Sequence, residues 1–379
     1  MKVLCFGRFY DETPGGMQRH VEHLFRALKG QVEYVHLVPS RDWSSAHFLL
    51  QGFPVVRTPS LNLDGSLALS PGLITTARGL HRQHDFDLVH LHFPDPMSHL
   101  ASMVLPRSIP RVISWHADIT RQKNLLKFYR PLLNRAVEAA SAIIVATPNH
   151  ISNSEVLGEL ADQRKIHVIP YGFDLERYAG TNSDVAAIRE RFPGKLIFTL
   201  GRHVYYKGID VLIQAMSRID PDVRLLIGGV GPLTEQWQAL ASQCGVSNRV
   251  HFLGMIDEDD LPAYYQACEV FCLPATSTAE AFGIVQVEAM ASGRPVVSTA
   301  LPSGVSLVNQ HQHTGLMVAP GDQVALASAI NALMRDDAWR ERLGRQAREY
   351  ALREFSLDRM GLRTLAVYKS CRAAPAGGA

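Results

Sequence analysis

The sequence predicts an α/β protein built from two Rossmann-like halves, each a doubly wound parallel sheet, facing one another across a cleft. Three observations carry that expectation. Short apolar runs alternate with helical-period segments along almost the whole chain. The alternation comes as two series, joined near residues 172–184. A chain of 379 residues is also long for a single core, so two cores are the default.

In order, the first series offers strands at 2–6, 32–37, 55–57, 88–92, 112–114, 142–146 and 167–169, with helices such as 17–29 between them. The second offers strands at 196–200, 224–228, 250–252, 270–273, 295–298 and 315–318. A long helical region, 339–351 and then 357–370, breaks near Glu354-Phe-Ser356. The expected division is 1–175, 176–355, a closing helix over 356–372, and a small-residue tail over 373–379 that has too little apolar surface to fold.

Composition narrows the class. The hydrophobic fraction of 46% suits a folded globular chain, and a formal charge of +2 is too small to argue for nucleic acid. No run reaches the roughly 18 apolar residues of a membrane span. Residues 1–7 read as a first strand and not as an export signal, so a cytoplasmic location is expected. The five cysteines, Cys5, Cys244, Cys268, Cys272 and Cys371, include no C-x-x-C pair, which argues against a disulfide framework or a structural zinc site.

The most informative segment runs from Glu280 through Phe282-Gly-Ile-Val285 to Glu288. It follows the apolar run Val270-Phe-Cys-Leu-Pro274, so it should lie at the C-terminal end of a buried strand, where chemistry collects in such sheets. A helix opening at Phe282-Gly283-Ile284-Val285 turns the free amides of its first turn, and its dipole, toward an anion such as a diphosphate. Glu288, an acceptor-only group, suits paired ribose hydroxyls, and Glu280 lies in the loop where a sugar would sit. Arg202 and Lys207 flank another strand-to-helix loop, and together they can neutralise a departing diphosphate without a metal. Gly15-Gly16 between the first strand and first helix leaves room for a ligand at backbone amides.

The spaced glutamates, E-x7-E, come with Pro14-Gly-Gly-Met-Gln-Arg-His-Val21, Asp87-Leu-Val-His-Leu-His92, Ser114-Trp-His-Ala-Asp118, Val168-Ile-Pro-Tyr-Gly-Phe-Asp174 and Gly201-Arg-His-Val-Tyr-Tyr-Lys-Gly208. In this order they resemble the retaining glycosyltransferases of family 4, which have the GT-B fold. Trp115-His-Ala-Asp-Ile-Thr-Arg-Gln-Lys and His92-Phe-Pro-Asp-Pro-Met are most similar to mannosyl- and rhamnosyltransferases of bacterial surface-polysaccharide and O-antigen assembly.

The resemblance implies hexosyl transfer with retention, from GDP-mannose or GDP-rhamnose, to a glycan or polyprenyl-diphosphate-linked saccharide, without a cofactor or metal. A UDP-sugar, glucose or N-acetylglucosamine, is the rival donor. The leaving phosphate would help deprotonate the acceptor on the same face of the sugar, so catalysis rests on positioning and electrostatics. His116 stands where similar enzymes keep a histidine against the donor sugar, and it joins Glu280, Arg202 and Lys207 as the catalytic set. The loop at Gly254-Met255 would meet the base. His92, Asp118, Arg121 and Lys123 are the acceptor-side candidates, and the closing helix would cross back onto the first domain.

The segment 121–135 carries Lys123, Lys127 and Arg130 at helical spacing beside Leu125, Leu126 and Phe128, which reads equally as a face for the inner surface of an anionic membrane or as an ordinary surface helix. Other classes fit less well. Gly229-Val-Gly-Pro-Leu-Thr234 is G-x-G-x-x-T, lacking the third glycine of a dinucleotide fingerprint. A two-domain solute-binding protein would share the layout without turnover, and a sugar-nucleotide epimerase would convert donor without acceptor.

Overall fold

The computed structural model describes residues 1–8, 16–50, 52–63, 67–116, 123–152, 154–160, 162–180 and 184–373, with backbone alone at 62, 63, 67, 123–128 and 160. The chain forms two compact units. The first is Met1–Phe173 together with Leu357–Ala379, and the second is Asp174–Ser356.

Unit 1 is built on β1 (Lys2–Phe6), β2 (Glu33–Pro39), β3 (Ala46–Leu50), β4 (Phe53–Thr58), β7 (Leu88–Phe93), β8 (Arg111–Trp115), β9 (Ala142–Val145) and β10 (Ile166–Val168), with a small separate hairpin of β5 (Leu61–Leu63) and β6 (Leu67–Leu69). The sheet order is β10-β9-β8-β7-β1-β2-β4-β3. All pairings are parallel except β3 with β4 at the edge. The sequence reading missed β3, because its residues alternate between half-buried and exposed, with Leu49 at 72% exposure, and do not form an apolar run.

Strand β1 shows why the central strands look uniformly apolar. Its period of two sends Leu4 and Phe6 into a core with Leu73, Ala77 and Trp115, while Val3 and Cys5 enter the opposite core with Phe25 and Tyr368. The helix Gly16–Ala27 buries Val21, Leu24 and Phe25, a single face at helical spacing. Against it lies the last helix, Leu357–Ala373, where Gly361 brings its backbone so near Ala27 that a Cβ there would stand 2.9 Å from the Ala27 methyl. Tyr368 fastens this helix to the sheet: its hydroxyl lies 2.6 Å from His90 Nδ1 and receives the Tyr34 hydroxyl at 3.2 Å.

Unit 2 is a six-stranded parallel sheet in the order β13-β12-β11-β14-β15-β16. Its strands are β11 (Lys195–Leu200), β12 (Val223–Gly228), β13 (Val250–Gly254), β14 (Val270–Leu273), β15 (Val296–Thr299) and β16 (Gly315–Val318). In each sheet the winding direction reverses once, between β1 and β7 in unit 1 and between β11 and β14 in unit 2. At such a reversal the loops beyond the strand ends diverge and leave a crevice for ligands.

Among the described residues no helix is long and apolar enough to cross a membrane. The expected 121–135 segment falls on the helix Lys123–Ala139, in which Tyr129 is buried and Arg130 is paired with Glu155 and Glu159 at 3.7 and 3.3 Å.

Candidate active site

In unit 2 the loops after β11 and β14 meet at the winding reversal and bring Lys207 and Glu280 together. Lys207 Nζ lies 2.6 Å from Glu280 Oε2, with side chains only 12% and 10% exposed. Glu280 is therefore not a solvated decoration, nor is it free in the loop. The lysine chain crosses the face of Gly201, where a Cβ would stand 3.0 Å from Lys207 Cε, and its ammonium is 5.9 Å from the centre of the Tyr206 ring. Arg202 beside it is exposed, and among the described residues its guanidinium has no hydrogen bond or ion pair.

The loop is held by backbone contacts that the sequence reading did not foresee. Thr276 N donates to Tyr206 O at 2.9 Å, tying the two loops to each other. Gly208, at φ +65°, caps the helix Ile209–Ala215, and a Cβ there would run into the Pro274 carbonyl. Gly231 packs flat on His203, where a Cβ would come within 2.7 Å of the His203 nitrogen. The G-x-G-x-x-T run is thus a brace for Arg202: His203 N donates to Val230 O at 3.0 Å, and His203 Nδ1 lies 2.7 Å from the Thr234 hydroxyl.

The helix expected to open at Phe282 begins at Ile284 instead and runs to Ala291, with Gly283 as its left-handed cap at φ +71°. Phe282 stays outside because its ring is buried, edge-on to Phe355 at 5.9 Å. Among the described residues the amides of Ile284 and Val285 have no acceptor, as first-turn amides do until a ligand or water supplies one. Glu288, one turn on, is half-buried and accepts the Tyr265 hydroxyl at 2.6 Å. Burial pushes its carboxyl pKa up, and the hydroxyls of Tyr265 and Tyr178 and the Arg177 charge pull against that rise. Gly254 closes β13 and accepts from Gly229 N at 2.7 Å, while Met255 stands 75% exposed beside it.

In unit 1 the strand ends at the winding reversal carry a cluster of imidazoles. His92 is the penultimate residue of β7 and His116 follows β8. Their Nδ1 and Nε2 atoms share a 2.9 Å hydrogen bond between nearly parallel rings, and His116 Nδ1 continues to the Tyr171 hydroxyl at 3.1 Å. The His116 backbone is pinned as well: its amide donates to Phe93 O at 3.1 Å, and its carbonyl meets His150 Nε2 at 3.2 Å. His20, on the helix Gly16–Ala27, stands edge-on to His92, His116 and Tyr171 with ring centres 5.1 to 5.7 Å away. Burial lowers all three histidine pKa values, His20 to about 3, so the cluster is neutral at pH 7. His90, two residues before His92, is spent on Tyr368 and on Ser114 at 2.8 Å, as a scaffold residue would be.

One ring nitrogen each of His20, His92 and His116 lies within 4.8 Å of the other two, a set chemically able to hold a metal ion. Two nitrogens on one tetrahedral zinc sit ~3.3 Å apart, given zinc–nitrogen bonds of about 2.0–2.1 Å. At 2.9 Å, His92 and His116 are hydrogen-bonded to one another.

Of the sequence-predicted residues, Lys207 and Glu280 meet in unit 2 and His92 and His116 in unit 1; Arg202 shares the Lys207 loop without a hydrogen bond or ion pair to either partner, and Glu288 is held by Tyr265 instead. Gly16 is the first helical residue, and a Cβ there would meet nothing within 4 Å. Gly15, Asp118 and Arg121 lie outside the described residues, and Lys123 is placed by its backbone alone. The reading missed His20 and Tyr171, although both sit inside quoted motifs, and Tyr265, which no motif marks.

Comparison with known proteins agrees with this architecture. A model of group 1 glycosyl transferases matches residues 184–350, and one of Glycosyltransferase Family 4 matches residues 14–177. The chain is 32% identical over 350 residues to the D-rhamnosyltransferase WbpZ of Pseudomonas aeruginosa, covering 92% of this chain and 90% of the relative. It is 32% identical over 363 residues to the O-antigen chain mannosyltransferase C of Escherichia coli, covering 95% and 96%. Among solved structures, Anabaena HepE in complex with UDP superposes with a TM-score of 0.75 over 98% of this chain and 100% of that one, at 22% identity. The chain belongs to the family 4 glycosyltransferases and has their GT-B fold.

Proposed function

We propose that the protein transfers a mannosyl or rhamnosyl residue from a GDP-sugar to a glycan or polyprenyl-diphosphate-linked saccharide, with retention of anomeric configuration and without a divalent metal. The observation that carries this reading is the pair of cations in the loop after β11, Lys207 held by Glu280 and Arg202 with no side-chain partner among the described residues, together with the first-turn amides of Ile284 and Val285 after β14, which have no acceptor among the described residues. Two cations and a helix N-terminus can take up the charge of a departing diphosphate, the task a metal performs elsewhere. Glu288 is proposed to accept ribose hydroxyls, the Gly254-Met255 turn to meet the base, and His116 to contact a sugar oxygen. His92, Asp118, Arg121 and Lys123 are the acceptor-side proposals, and cytoplasmic residence with peripheral contact at the inner membrane face would suit a lipid-linked acceptor.

A guanine donor is supported by the similarity to a GDP-mannose-dependent mannosyltransferase of Mycobacterium tuberculosis, 26% identical over 375 residues. The likeness to a protein solved with UDP keeps a UDP-sugar as the second reading. The deciding experiment incubates the protein with GDP-mannose, GDP-rhamnose, UDP-glucose and UDP-N-acetylglucosamine, with and without acceptor and with EDTA or magnesium, and reads the product anomer by NMR. Acceptor-dependent, EDTA-resistant transfer from a GDP-sugar with retention is expected. Turnover of UDP-sugars only would overturn the donor, an inverted product the mechanism, and conversion without acceptor the reaction class.

A further inference from the structure

The imidazole cluster of unit 1 holds more information than the identity of its residues. His92, His116 and Tyr171 form a continuous hydrogen-bonded row, and both ring nitrogens of His116 are consumed within it. At the far end His92 Nε2 is buried without a partner, and so is His20 Nδ1. Each neutral imidazole has one N–H and one bare lone pair, so the row can be occupied in only two ways. In one, the His116 proton is on Nε2 and is donated to His92 Nδ1. This forces the His92 proton onto Nε2, where a buried N–H would have no acceptor. In the other, His92 donates from Nδ1 to His116 Nε2, His116 donates from Nδ1 to the Tyr171 oxygen, and the unpartnered atom is a bare lone pair. A buried donor without an acceptor is the rarer and costlier of the two defects.

We propose that His92 and Tyr171 are positioning residues that hold His116 in its Nδ1–H tautomer, so that His116 meets a ligand oxygen as a hydrogen-bond donor and cannot act as a base. The same rule puts the His20 proton on Nε2. An incoming oxygen acceptor takes the place that Tyr171 occupies in the row, and the His116 proton is already on the correct atom. In this scheme the imidazole binds a sugar oxygen through that proton, and the acceptor hydroxyl must lose its proton to another group.

The tautomer is independent of the transferase reading, whereas its effect on rate rests on it. Long-range proton–nitrogen correlation on protein labelled with 15N-histidine should show His116 and His92 both protonated at Nδ1. In His92→Phe, His116 Nε2 loses the donor that fixes its lone pair, so one tautomer is no longer enforced, and an Nε2–H signal, with Tyr171 donating to Nδ1, should appear beside the Nδ1–H signal. In His92→Gln the side-chain amide can still donate to Nε2, and the Nδ1–H form should persist. With a turned-over donor, kcat/KM should fall in His92→Phe, by up to about tenfold, the worth of one hydrogen bond to a reacting ligand, and recover in His92→Gln. Affinity for the bare nucleoside diphosphate, which lacks the sugar, should be the same in all three proteins. A wild-type His116 protonated at Nε2 overturns the tautomer assignment, and equal rates in the Phe and Gln variants overturn the positioning role. If wild type transfers no sugar from any nucleotide donor, the functional reading fails while the nitrogen spectrum still decides the tautomer.

Discussion

Glu280→Gln separates the two things asked of Glu280, holding Lys207 and meeting the sugar. The carboxylate and ammonium are 2.6 Å apart. At an effective dielectric of about 20 their gross attraction is ~6 kcal/mol, most of which offsets the cost of taking both charges out of water. Removing one partner leaves the other charge buried, and this costs about 3–5 kcal/mol in general. Since both groups retain about a tenth of their exposure, the lower figure of ~3 kcal/mol applies, equivalent to roughly 6–12 °C in Tm for a unit of this size. A nucleoside diphosphate returns a negative charge to Lys207, so the ligand-induced rise in Tm should be larger in the variant than in wild type. Differential scanning fluorimetry with and without GDP or UDP reads both effects, and the transfer assay should show lower kcat in the same protein. A variant that melts with wild type and shows the same ligand-induced shift would refute the ion-pair argument.

Acid should weaken unit 1 through its buried histidines. His20 and His90 are pushed down to about 3 and His36 to about 4, chiefly by burial, against an ordinary 6.5. With folded values depressed, the unfolded chain binds more protons between these values and 6.5, so stability is complete above pH 6.5 and is lost as pH falls. By pH 5 each contributes a loss of about 2 kcal/mol, visible in urea titrations at pH 7, 6 and 5, where a constant midpoint would contradict the assignment. Glu288 has the opposite sign: its raised folded value makes the folded state bind more protons above the ordinary 4.5, so its charge destabilises as pH rises. Glu288→Gln should therefore gain in Tm over wild type as pH climbs from 4.5 toward 7 while nucleotide affinity drops, and a pH-independent difference would argue against it. Gly16→Ala has open space for its methyl at a helix start, so thermal melts should show no loss of stability. Any fall in activity would then mark a ligand approaching Gly16.

The parallel strands of the two units and their succession along the chain were legible because parallel strands buried on both faces read as plain apolar runs, as in Val270-Phe-Cys-Leu273 and Ala142-Ile-Ile-Val145. Edge strand β3 was not, since one of its faces meets solvent and its pattern breaks up. Lys207 and Glu280 could each be named from motif and loop position, yet their contact spans 73 residues and depends on the β11–β14 neighbourhood, which no local pattern encodes. The same holds for His116: a motif supplied the residue, but its partners His92, Tyr171 and His20 come from three other segments. Tyr265 lay beyond reach altogether, because a tyrosine on a short helix looks the same whether its hydroxyl faces water or a carboxylate.

The closing helix Leu357–Ala373 also sets an order of events at the ribosome. Unit 2 is one uninterrupted stretch, while unit 1 is drawn from both ends of the chain. The surface of Val3, Cys5, Phe25 and Tyr34 that Tyr368 covers is synthesised first and sheltered last. At ~5–20 residues per second, the nascent first half waits on the order of ten seconds or more with that apolar face uncovered while unit 2 is made. The polypeptide that most needs protection from aggregation is therefore the N-terminal half during elongation, and a stop codon just before Leu357 would make that exposure permanent.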